Sequence, residues 1–364
     1  MEEKNRHISI AVLCAVALVA LLLGLGLGLN ALLLPEDVAP SAPTEPPTEP
    51  PTDPPTDPPT GPPTDPPTEP PLALPELSLT AKHGFLYVVE TGAFLTIKGD
   101  MGQRIYPASI TKLFSTYVAL LYLDPQETVT IGNERDLVAM DASIAGLQKG
   151  TTWTVEGLAY AALLPSGCDA SYSLATAAGR KLLDNPNATV KKAIAAFMDE
   201  CNRLAEELGM TNTHFVTPDG YHDWNHYISI RGYMIIAKLI LGHELLSSIA
   251  KTPQATVTYR NKYGTPYTTV MRNTNYTLHA DSPQLYRPES VGLKTGSTSA
   301  AGKCLLTAYQ VEGGYLIVGV FGCIETTSRF TSANALFDYF IAQRGPEYPY
   351  NKDPGITPGS FHFI

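Results

Sequence analysis

Residues 40–71 limit the folding of this chain more than any other stretch, because they repeat Pro-Pro-Thr-Asp/Glu and carry few apolar side chains. A segment of this composition cannot bury a core, and its prolines favour the extended polyproline II conformation. At about 3.1 Å per residue the segment would extend to roughly 100 Å. We therefore predict an extended linker of proline, threonine and acidic residues over 31–75.

Residues 8–30 are apolar almost without interruption. As a helix rising about 1.5 Å per residue they would measure roughly 33 Å, the thickness of the hydrocarbon core of a bilayer. Basic residues precede this segment and acidic residues follow it, which favours a cytoplasmic amino end. We predict a cytoplasmic segment over 1–7, a transmembrane signal anchor over 8–30 and an extracytoplasmic remainder. A cleaved signal peptide is the alternative.

The folded part is then expected over residues 76–345, followed by a short tail over 346–364. The net charge of −10 belongs largely to the region before it, since eight carboxylates and no basic residue fall within 35–71. The folded part is therefore close to neutral and has no basic stripe. Nucleic acid is not expected as a partner.

The five cysteines include no Cys-x-x-Cys pair and no zinc-ligand spacing, so we expect no metal site and no other cofactor. Two strand-like runs, 302–311 and 315–323, flank a glycine turn from which Cys304 and Cys323 are equidistant. These cysteines would face each other across a hairpin. Free, packed thiols are favoured over a disulfide there.

Strand-like runs lie at both ends of the folded part, with helical patterns between them. Two β-rich runs around the Thr-Gly turn at residues 91–92 predict a hairpin. Strands at both ends with helices inserted between them indicate an α+β fold. The predicted helices cover residues 155–164, 170–183, 190–208 and 332–343.

The sequence Pro-Ala-Ser-Ile-Thr-Lys at residues 107–112 predicts the start of a helix, because proline suits the first helical turn. Ser109 then lies at the positive end of the helix dipole, and Lys112 lies three residues later on the same face. A neutral amine beside a serine can take its proton and activate it as a nucleophile. Alone, a Ser-x-x-Lys motif is expected about once by chance in a chain of this length.

Two further motifs follow. Ser166 begins Ser-Gly-Cys-Asp, which predicts a short turn that presents a hydroxyl to a cleft; a plain helix cap is the alternative. Residues 294–298 read Lys-Thr-Gly-Ser-Thr and begin a predicted strand. A cation, several hydroxyls and a glycine that permits close approach suit the binding of an anion. An ordinary edge strand with a surface lysine is the alternative.

The order Ser-x-x-Lys, Ser-x-x and Lys-Thr-Gly, with these spacings, is the motif set of penicillin-binding proteins and serine β-lactamases. From about residue 84 to residue 340 the chain resembles the D-alanyl-D-alanine carboxypeptidases, the low-molecular-mass penicillin-binding proteins. The resemblance implies a five-stranded antiparallel sheet packed with helices, an all-helical subdomain, and an active-site cleft between them. It also implies a penicillin-sensitive enzyme that removes the terminal D-alanine from peptidoglycan stem peptides.

The resemblance also implies roles for the residues of the first two motifs. Ser109 would be the nucleophile that is acylated, and Lys112 the base that activates it. Ser166 would relay a proton to the leaving D-alanine. Cys168 stands where the family has asparagine, whose amide would contact the substrate carbonyl and the lysine; a thiol is a weaker hydrogen-bond donor.

The third motif is implied to bind substrate. Lys294 and Thr295 would hold the terminal carboxylate, and Lys294 would help keep the first lysine neutral by like-charge repulsion. Gly296 would allow close approach, and the N–H of Ser297 would form an oxyanion hole with that of Ser109. The expected partners are stem peptides ending in D-Ala-D-Ala, β-lactam antibiotics, and a membrane through the amino-terminal helix.

Three rival functions remain open at this point. A class A β-lactamase needs a glutamate base about 36 residues after the second motif, where Glu200, Glu206 and Glu207 lie. A metallo-carboxypeptidase would have only His222 and His226 as ligand candidates, and both are expected to be loop residues. A non-catalytic wall-binding or β-lactam-sensing domain is made plausible by Cys168 in the second motif. Thr217 and Asp219 are further departures from the family pattern.

Overall fold

The computed structural model of the protein describes residues 77, 79–342 and 351–352. The predicted cytoplasmic segment, anchor and linker lie outside the described residues. The strands are β1 (His83–Val88), β2 (Ala93–Ile97), β3 (Arg104–Ile105), β4 (Thr128–Thr130), β5 (Thr152–Thr154), β6 (Ile228–Ser229), β7 (Gln254–Arg260), β8 (Pro266–Arg272), β9 (Ser290–Thr298), β10 (Gly302–Val311), β11 (Gly314–Cys323) and β12 (Asn351–Lys352). The helices are α1 (Thr111–Leu120), α2 (Val155–Leu163), α3 (Cys168–Leu182), α4 (Val190–Glu207), α5 (Ile230–Gly242), α6 (Glu244–Ala250) and α7 (Ser328–Ala342).

The main sheet is antiparallel, with the strand order β12-β2-β1-β11-β10-β9. Five of its strands are those implied by the resemblance, and the two-residue strand β12 extends one edge. The predicted hairpins are both present, as β1–β2 and as β10–β11. Strand β9, which carries the Lys-Thr-Gly motif, forms the other edge.

Apolar side chains alternate between the two faces of this sheet, as the period of a strand requires. On β10, Leu305 faces a core formed with α7, while Leu306 faces a larger core formed with the other helices. Full burial of one such leucine contributes about 1.5–3 kcal/mol. Helix α1 is buried from Thr111 to Ala119 and lies at the centre of the larger core.

The subdomain beside the sheet is not all-helical, so this prediction was wrong. It contains a four-stranded sheet in the order β4-β5-β7-β8. Strands β4 and β5 have only three residues each, which is too short for a periodic sequence pattern. β4 pairs with β5, and β5 pairs with β7 far along the chain, where Thr152 lies opposite Arg260. Helices α5 and α6 were not predicted either.

The four predicted helices are present as α2, α3, α4 and α7, with ends shifted by up to four residues. The helix expected to start near Pro107 is present but begins differently. Residues Ala108–Ile110 form a tighter 3₁₀ turn, and the α-helix starts at Thr111. Ser109 therefore lies in the turn before the helix rather than in its first turn.

The expectation of free thiols at the β10–β11 hairpin is confirmed, because Cys304 and Cys323 form no disulfide. A shift in the strand register between Lys303 and Leu305 places Cys323 opposite Lys303. The two thiols consequently lie on opposite faces of the sheet, in different cores.

Within the described residues, no single helix has the length and hydropathy of a membrane span. Helices α5 and α6 pass that test only as a pair, with a bend of 103° between them.

Candidate active site

A cavity of about 320 Å³ contains residues from all three sequence motifs. Ser109 comes from the 3₁₀ turn, Cys168 from the start of α3, and Ser297 from the end of β9. Two loops, 141–143 and 219–222, and residues 298–300 complete the wall. The fold therefore brings together residues that lie far apart in the sequence, such as Ser109 and Ser297.

Ser109 and Lys112 are in direct contact. The Lys112 ammonium Nζ donates to the Ser109 Oγ at 2.7 Å and to the backbone carbonyl of Asp219 at 3.0 Å. The lysine side chain is fully buried. The carbonyl fixes the amine next to the hydroxyl, and in its neutral form the same amine can accept the hydroxyl proton over this distance.

The second motif forms the predicted turn, between α2 and α3. Ser166 is buried and has a φ of 66°, a left-handed conformation that is uncommon for serine. It is not the cap of α3, whose N-cap is Gly167. A Cβ at Gly167 would lie 2.7 Å from the carbonyl oxygen of Ala161, so only glycine fits this turn.

Cys168 lines the cavity, as expected for a residue that replaces the family's asparagine. Its side chain is 4% exposed, and burial raises its pKa to about 11. Lys112 acts against that shift, and Asp219 adds to it. The group is therefore a neutral thiol at neutral pH, and only a thiolate is a strong nucleophile. Ser109 is the nucleophile that the geometry favours.

The third motif lies partly behind the cavity wall. Lys294 is fully buried, and its Nζ donates to the Thr295 carbonyl at 3.1 Å and to the Thr274 hydroxyl at 3.5 Å. Burial lowers the Lys294 pKa well below its usual value, and nearby Lys112 lowers it further. Thr295 is buried as well, and Ser297 and Thr298 are the motif residues that line the cavity.

Gly296 allows strand β9 to pack against the 3₁₀ turn that carries Ser109. A Cβ there would lie 2.7 Å from the carbonyl oxygen of Pro107 and 3.1 Å from the Cβ of Ala108. Such a contact would push the two motifs apart. The glycine of Lys-Thr-Gly therefore sets the distance between the strand and Ser109.

Each motif contains or follows a strained residue. Ala108, Ser166 and Leu293 have φ values of 49°, 66° and 82°, which cost non-glycine residues energy. Ala108 directly precedes Ser109, Ser166 is the serine of the second motif, and Leu293 directly precedes Lys294. Strained backbone of this kind costs about 1–3 kcal/mol per residue and concentrates at functional sites.

Sequence reasoning missed the structural importance of Asp169. Its buried carboxylate accepts four backbone N–H groups, from Ala145, Gly146, Leu147 and Ala170, at 2.8–3.0 Å. Three of these donors belong to the loop that follows the cavity wall at 141–143. Asp169 thus fixes that loop to the start of α3.

Sequence reasoning also missed Arg329, because 33 residues separate it from Gly296 of the motif that it supports. It is buried at the start of α7, and its Nη1 donates to the Gly296 carbonyl at 3.1 Å. Burial lowers its pKa. The contact holds the Lys-Thr-Gly strand from behind.

His226 lies in a loop, as predicted, but it is buried beneath the active site. Its Nδ1 accepts from the N–H groups of Val216 and Thr217 at 3.3 Å, and its Nε2 lies 3.0 Å from the Thr111 hydroxyl. With Nδ1 as acceptor, Nε2 carries the proton and donates. His226 thereby positions the loop whose Asp219 carbonyl binds Lys112.

Stability is expected to fall as the pH drops from about 6.5 towards 4. Burial lowers the His226 pKa to about 4, below the value of 6.5 that it has in the unfolded chain. The unfolded chain binds the extra proton first, so the contribution is complete above pH 6.5 and is lost on acidification. The pKa difference corresponds to about 3 kcal/mol. Urea denaturation across this pH range measures the loss, and His226→Gln should flatten the slope. An equal slope in that variant would contradict the assignment.

The glutamates of the lactamase alternative lie outside the cavity lining, whereas His222 of the metalloenzyme alternative lines the cavity. Glu200 on α4 bonds to Arg203 of the same helix and to Tyr122, which follows α1. The cavity lining includes neither Glu200 nor Glu206 or Glu207. Both ring nitrogens of His226 contact protein groups. Among the described residues, no group of three or more His, Cys, Asp or Glu side chains is arranged to hold a metal ion.

An antiparallel sheet packed with helices and a serine–lysine pair beside a Lys-Thr-Gly edge strand define a serine acyl-transfer enzyme of the penicillin-binding type. Residues 69–324 match the model of the peptidase S11 family, described as D-alanyl-D-alanine carboxypeptidase. The chain belongs to this family, and the resemblance inferred from the motifs is confirmed.

Individual relatives agree with this assignment. The chain is 29% identical over 276 residues to a D-alanyl-D-alanine carboxypeptidase of Streptomyces sp. strain K15, which covers 74% of this chain and 90% of the relative. It is 26% identical to the Bacillus subtilis carboxypeptidase DacF, over 78% of this chain and 67% of that one. The crystal structure of the Streptomyces K15 DD-transpeptidase superimposes with a TM-score of 0.66 at 29% identity, covering 73% of this chain and 98% of that one.

The Streptomyces protein also has a cysteine two positions after a serine. Its solved variants include replacements of a serine and of a cysteine that stand two positions apart. Ser166 and Cys168 have the same spacing. That relative is named both a carboxypeptidase and a transpeptidase.

Proposed function

We propose that this protein is a penicillin-sensitive D-Ala-D-Ala carboxypeptidase that cleaves peptidoglycan stem peptides through an acyl-enzyme on Ser109. One observation carries the proposal above all: the 2.7 Å contact between Ser109 Oγ and the buried amine of Lys112, at a cavity with Cys168 and Ser297 in its wall. Family membership supports the substrate class.

In the acylation step, Ser109 Oγ attacks the carbonyl carbon of the penultimate D-alanine while Lys112 Nζ accepts the hydroxyl proton. The C–N bond to the terminal D-alanine then breaks, and Ser166 relays a proton to the departing amine. Water next attacks the ester, which releases the shortened peptide and restores Ser109. General-base assistance of this kind contributes about 10²–10⁴ to the rate.

The remaining motif residues are proposed to hold the substrate. The N–H groups of Ser109 and Ser297 would stabilise the developing oxyanion, an interaction worth about 3–4 kcal/mol per donor in comparable sites. Lys294 and Thr295 would supply an amine and a hydroxyl as hydrogen-bond donors to the terminal carboxylate. Their burial requires the carboxylate to approach the edge of β9 closely.

The proposal is tested by two assays on the same purified protein. Fluorescent penicillin should label it covalently, and a peptide ending in D-Ala-D-Ala should release D-alanine. Labelling without peptide turnover would instead support a β-lactam sensor, and rapid loss of the label a β-lactamase. A peptide acceptor added to the second assay would measure transfer against hydrolysis.

Replacing Cys168 with asparagine is expected to keep or raise the acylation rate, by up to about tenfold. An amide donates a stronger hydrogen bond than a thiol, and one bond to a developing charge contributes about 1.5–3 kcal/mol. The contact from Asp219 to Lys112 uses a backbone carbonyl, so it does not depend on Cys168. Stopped-flow acylation by penicillin measures the effect, with Cys168→Ala as control. Loss of acylation in a folded Cys168→Asn variant would show that the pocket requires the thiol.

Residues 8–30 are proposed as an uncleaved anchor that holds the enzyme on the outer face of the cell membrane, with residues 31–75 as spacer. The apolar length and the flanking charges support this topology. The native protein should fractionate with membranes and retain Met1. Amino-terminal sequencing that starts near Ala39 or Pro40 would show a cleaved signal instead.

A further inference from the structure

An aromatic cluster of Tyr106, His222 and Trp224 adjoins the active-site cavity. The His222 ring lies 4.8 Å from the Tyr106 ring and 5.0 Å from the Trp224 ring, both in edge-to-face contact. His222 is also part of the cavity wall, and Tyr106 stands three residues before Ser109. The cluster is thus continuous with the place where the proposed chemistry occurs.

Trp224 is 76% exposed, although an indole has a large apolar surface. Tyr106 and His222 each meet it at an interplanar angle of 76°, so neither ring lies flat against it. Two edge contacts therefore orient the indole while much of its ring remains open. Exposed apolar surface beside a cleft is typical of a binding surface, and tryptophan is enriched where an apolar ring meets water.

The size of the cavity indicates what reaches this ring. A volume of about 320 Å³ lies at the lower end of the range for small-ligand pockets, so the cavity accommodates only the end of a peptide attached to a polymer. The rest of the substrate must cross the rim. The neighbouring carboxylate of Asp223 accepts the Asn225 N–H at 2.7 Å, which fixes the turn that carries Trp224.

We propose that Trp224, supported by Tyr106 and His222, binds a sugar ring of the glycan strand to which the stem peptide is attached. A pyranose has an apolar face of C–H groups that packs on an indole and a polar edge that stays in water, which matches an open ring at a wet rim. The proposal rests on the proposed function and adds the glycan to its substrate.

The kinetic test compares two donors that share one pentapeptide ending in D-Ala-D-Ala. One donor is the N-acetylated peptide, and the other carries the N-acetylglucosamine–N-acetylmuramic acid disaccharide. In Trp224→Ala, the KM of the disaccharide-peptide relative to that of the free peptide should rise about fivefold or more. Trp224→Phe, which keeps a ring, should show a smaller rise. Tyr263→Ala is the matched control and should leave the KM ratio unchanged. Tyr263 is 79% exposed, like Trp224, but it lies in the turn between β7 and β8.

An unchanged KM ratio in Trp224→Ala would overturn the proposal. Equal weakening of both donors would also overturn it, because the ring would then bind the stem peptide. Absence of turnover for both donors in the wild-type protein would instead contradict the proposed function. A binding measurement without turnover separates these two failures.

The chain has two tryptophans, which makes such a measurement direct. Trp153 is 3% exposed and stacks on Tyr259 at 4.5 Å, so an added sugar reaches Trp224 alone. Titration with a β-1,4-linked N-acetylglucosamine tetramer should change the emission saturably in the full chain and in Trp153→Phe. The change should be absent from Trp224→Ala. A wild-type emission that does not respond would overturn the glycan site whatever the peptidase assay gives.

Discussion

Replacing Lys112 with alanine is expected to slow the acylation of Ser109 by penicillin by about 10²–10⁴. The Lys112 amine is the group 2.7 Å from the Ser109 hydroxyl, and without it the hydroxyl has to lose its proton to solvent. Each tenfold loss corresponds to about 1.4 kcal/mol of transition-state stabilisation. Stopped-flow measurement of labelling with fluorescent penicillin gives the rate constant directly.

Two controls separate the loss of the base from a loss of structure. Lys112→Met fills the buried volume without a titratable amine, so it should be as slow as Lys112→Ala with less effect on stability. Lys191→Ala removes an exposed lysine from α4 and should acylate at the wild-type rate. An acylation rate within threefold of wild type in a folded Lys112 variant would remove this residue from the role of base.

Replacing Asp169 with alanine is expected to lower the free energy of unfolding by about 3–5 kcal/mol. The change leaves four buried N–H groups without their acceptor, and each such group costs about 1–3 kcal/mol when nothing replaces the bond. Relaxation of the loop and entry of water will recover part of that sum. For a domain of this size the melting temperature should fall by about 10 °C.

Thermal unfolding followed by circular dichroism measures this change. Asp199→Ala, at an exposed position of α4, is the matched control and should lie within about 0.5 kcal/mol of wild type. Because the loop held by Asp169 continues from the cavity wall, we also expect slower acylation at temperatures where the variant stays folded. A variant as stable as wild type would show that the loop does not depend on this carboxylate.

Local sequence patterns were sufficient to predict the helices and strands whose apolar side chains repeat regularly over many residues. The helix α4 and the hairpin β10–β11 were predicted nearly residue for residue because their apolar spacing and glycine turn are strong local signals. The four-stranded sheet was not predicted, since β4 and β5 are only three residues long and β5 joins them to the distant strand β7. The 3₁₀ turn at Ser109 was also missed; it packs closely against Gly296 of the distant strand β9, a contact that the local sequence does not reveal.

In the candidate site, too, residues in local motifs were predicted and residues that act through distant contacts were not. Ser109, Ser166 and Lys294 were predicted as site residues because they belong to motifs with a fixed order and spacing. The groups that orient them were not, since they act through contacts between residues far apart in sequence. Lys112 meets a carbonyl 107 residues away, and His226 meets Thr111 across 115 residues.

The most direct measurement of the central claim is the site of the covalent adduct. The protein is labelled with penicillin, digested, and the peptides are mapped by mass spectrometry. The mass increase of one penicilloyl group should fall on Ser109, and Ser109→Ala should show none. An adduct on Cys168 or on another residue, or no adduct at saturating penicillin, would contradict the account.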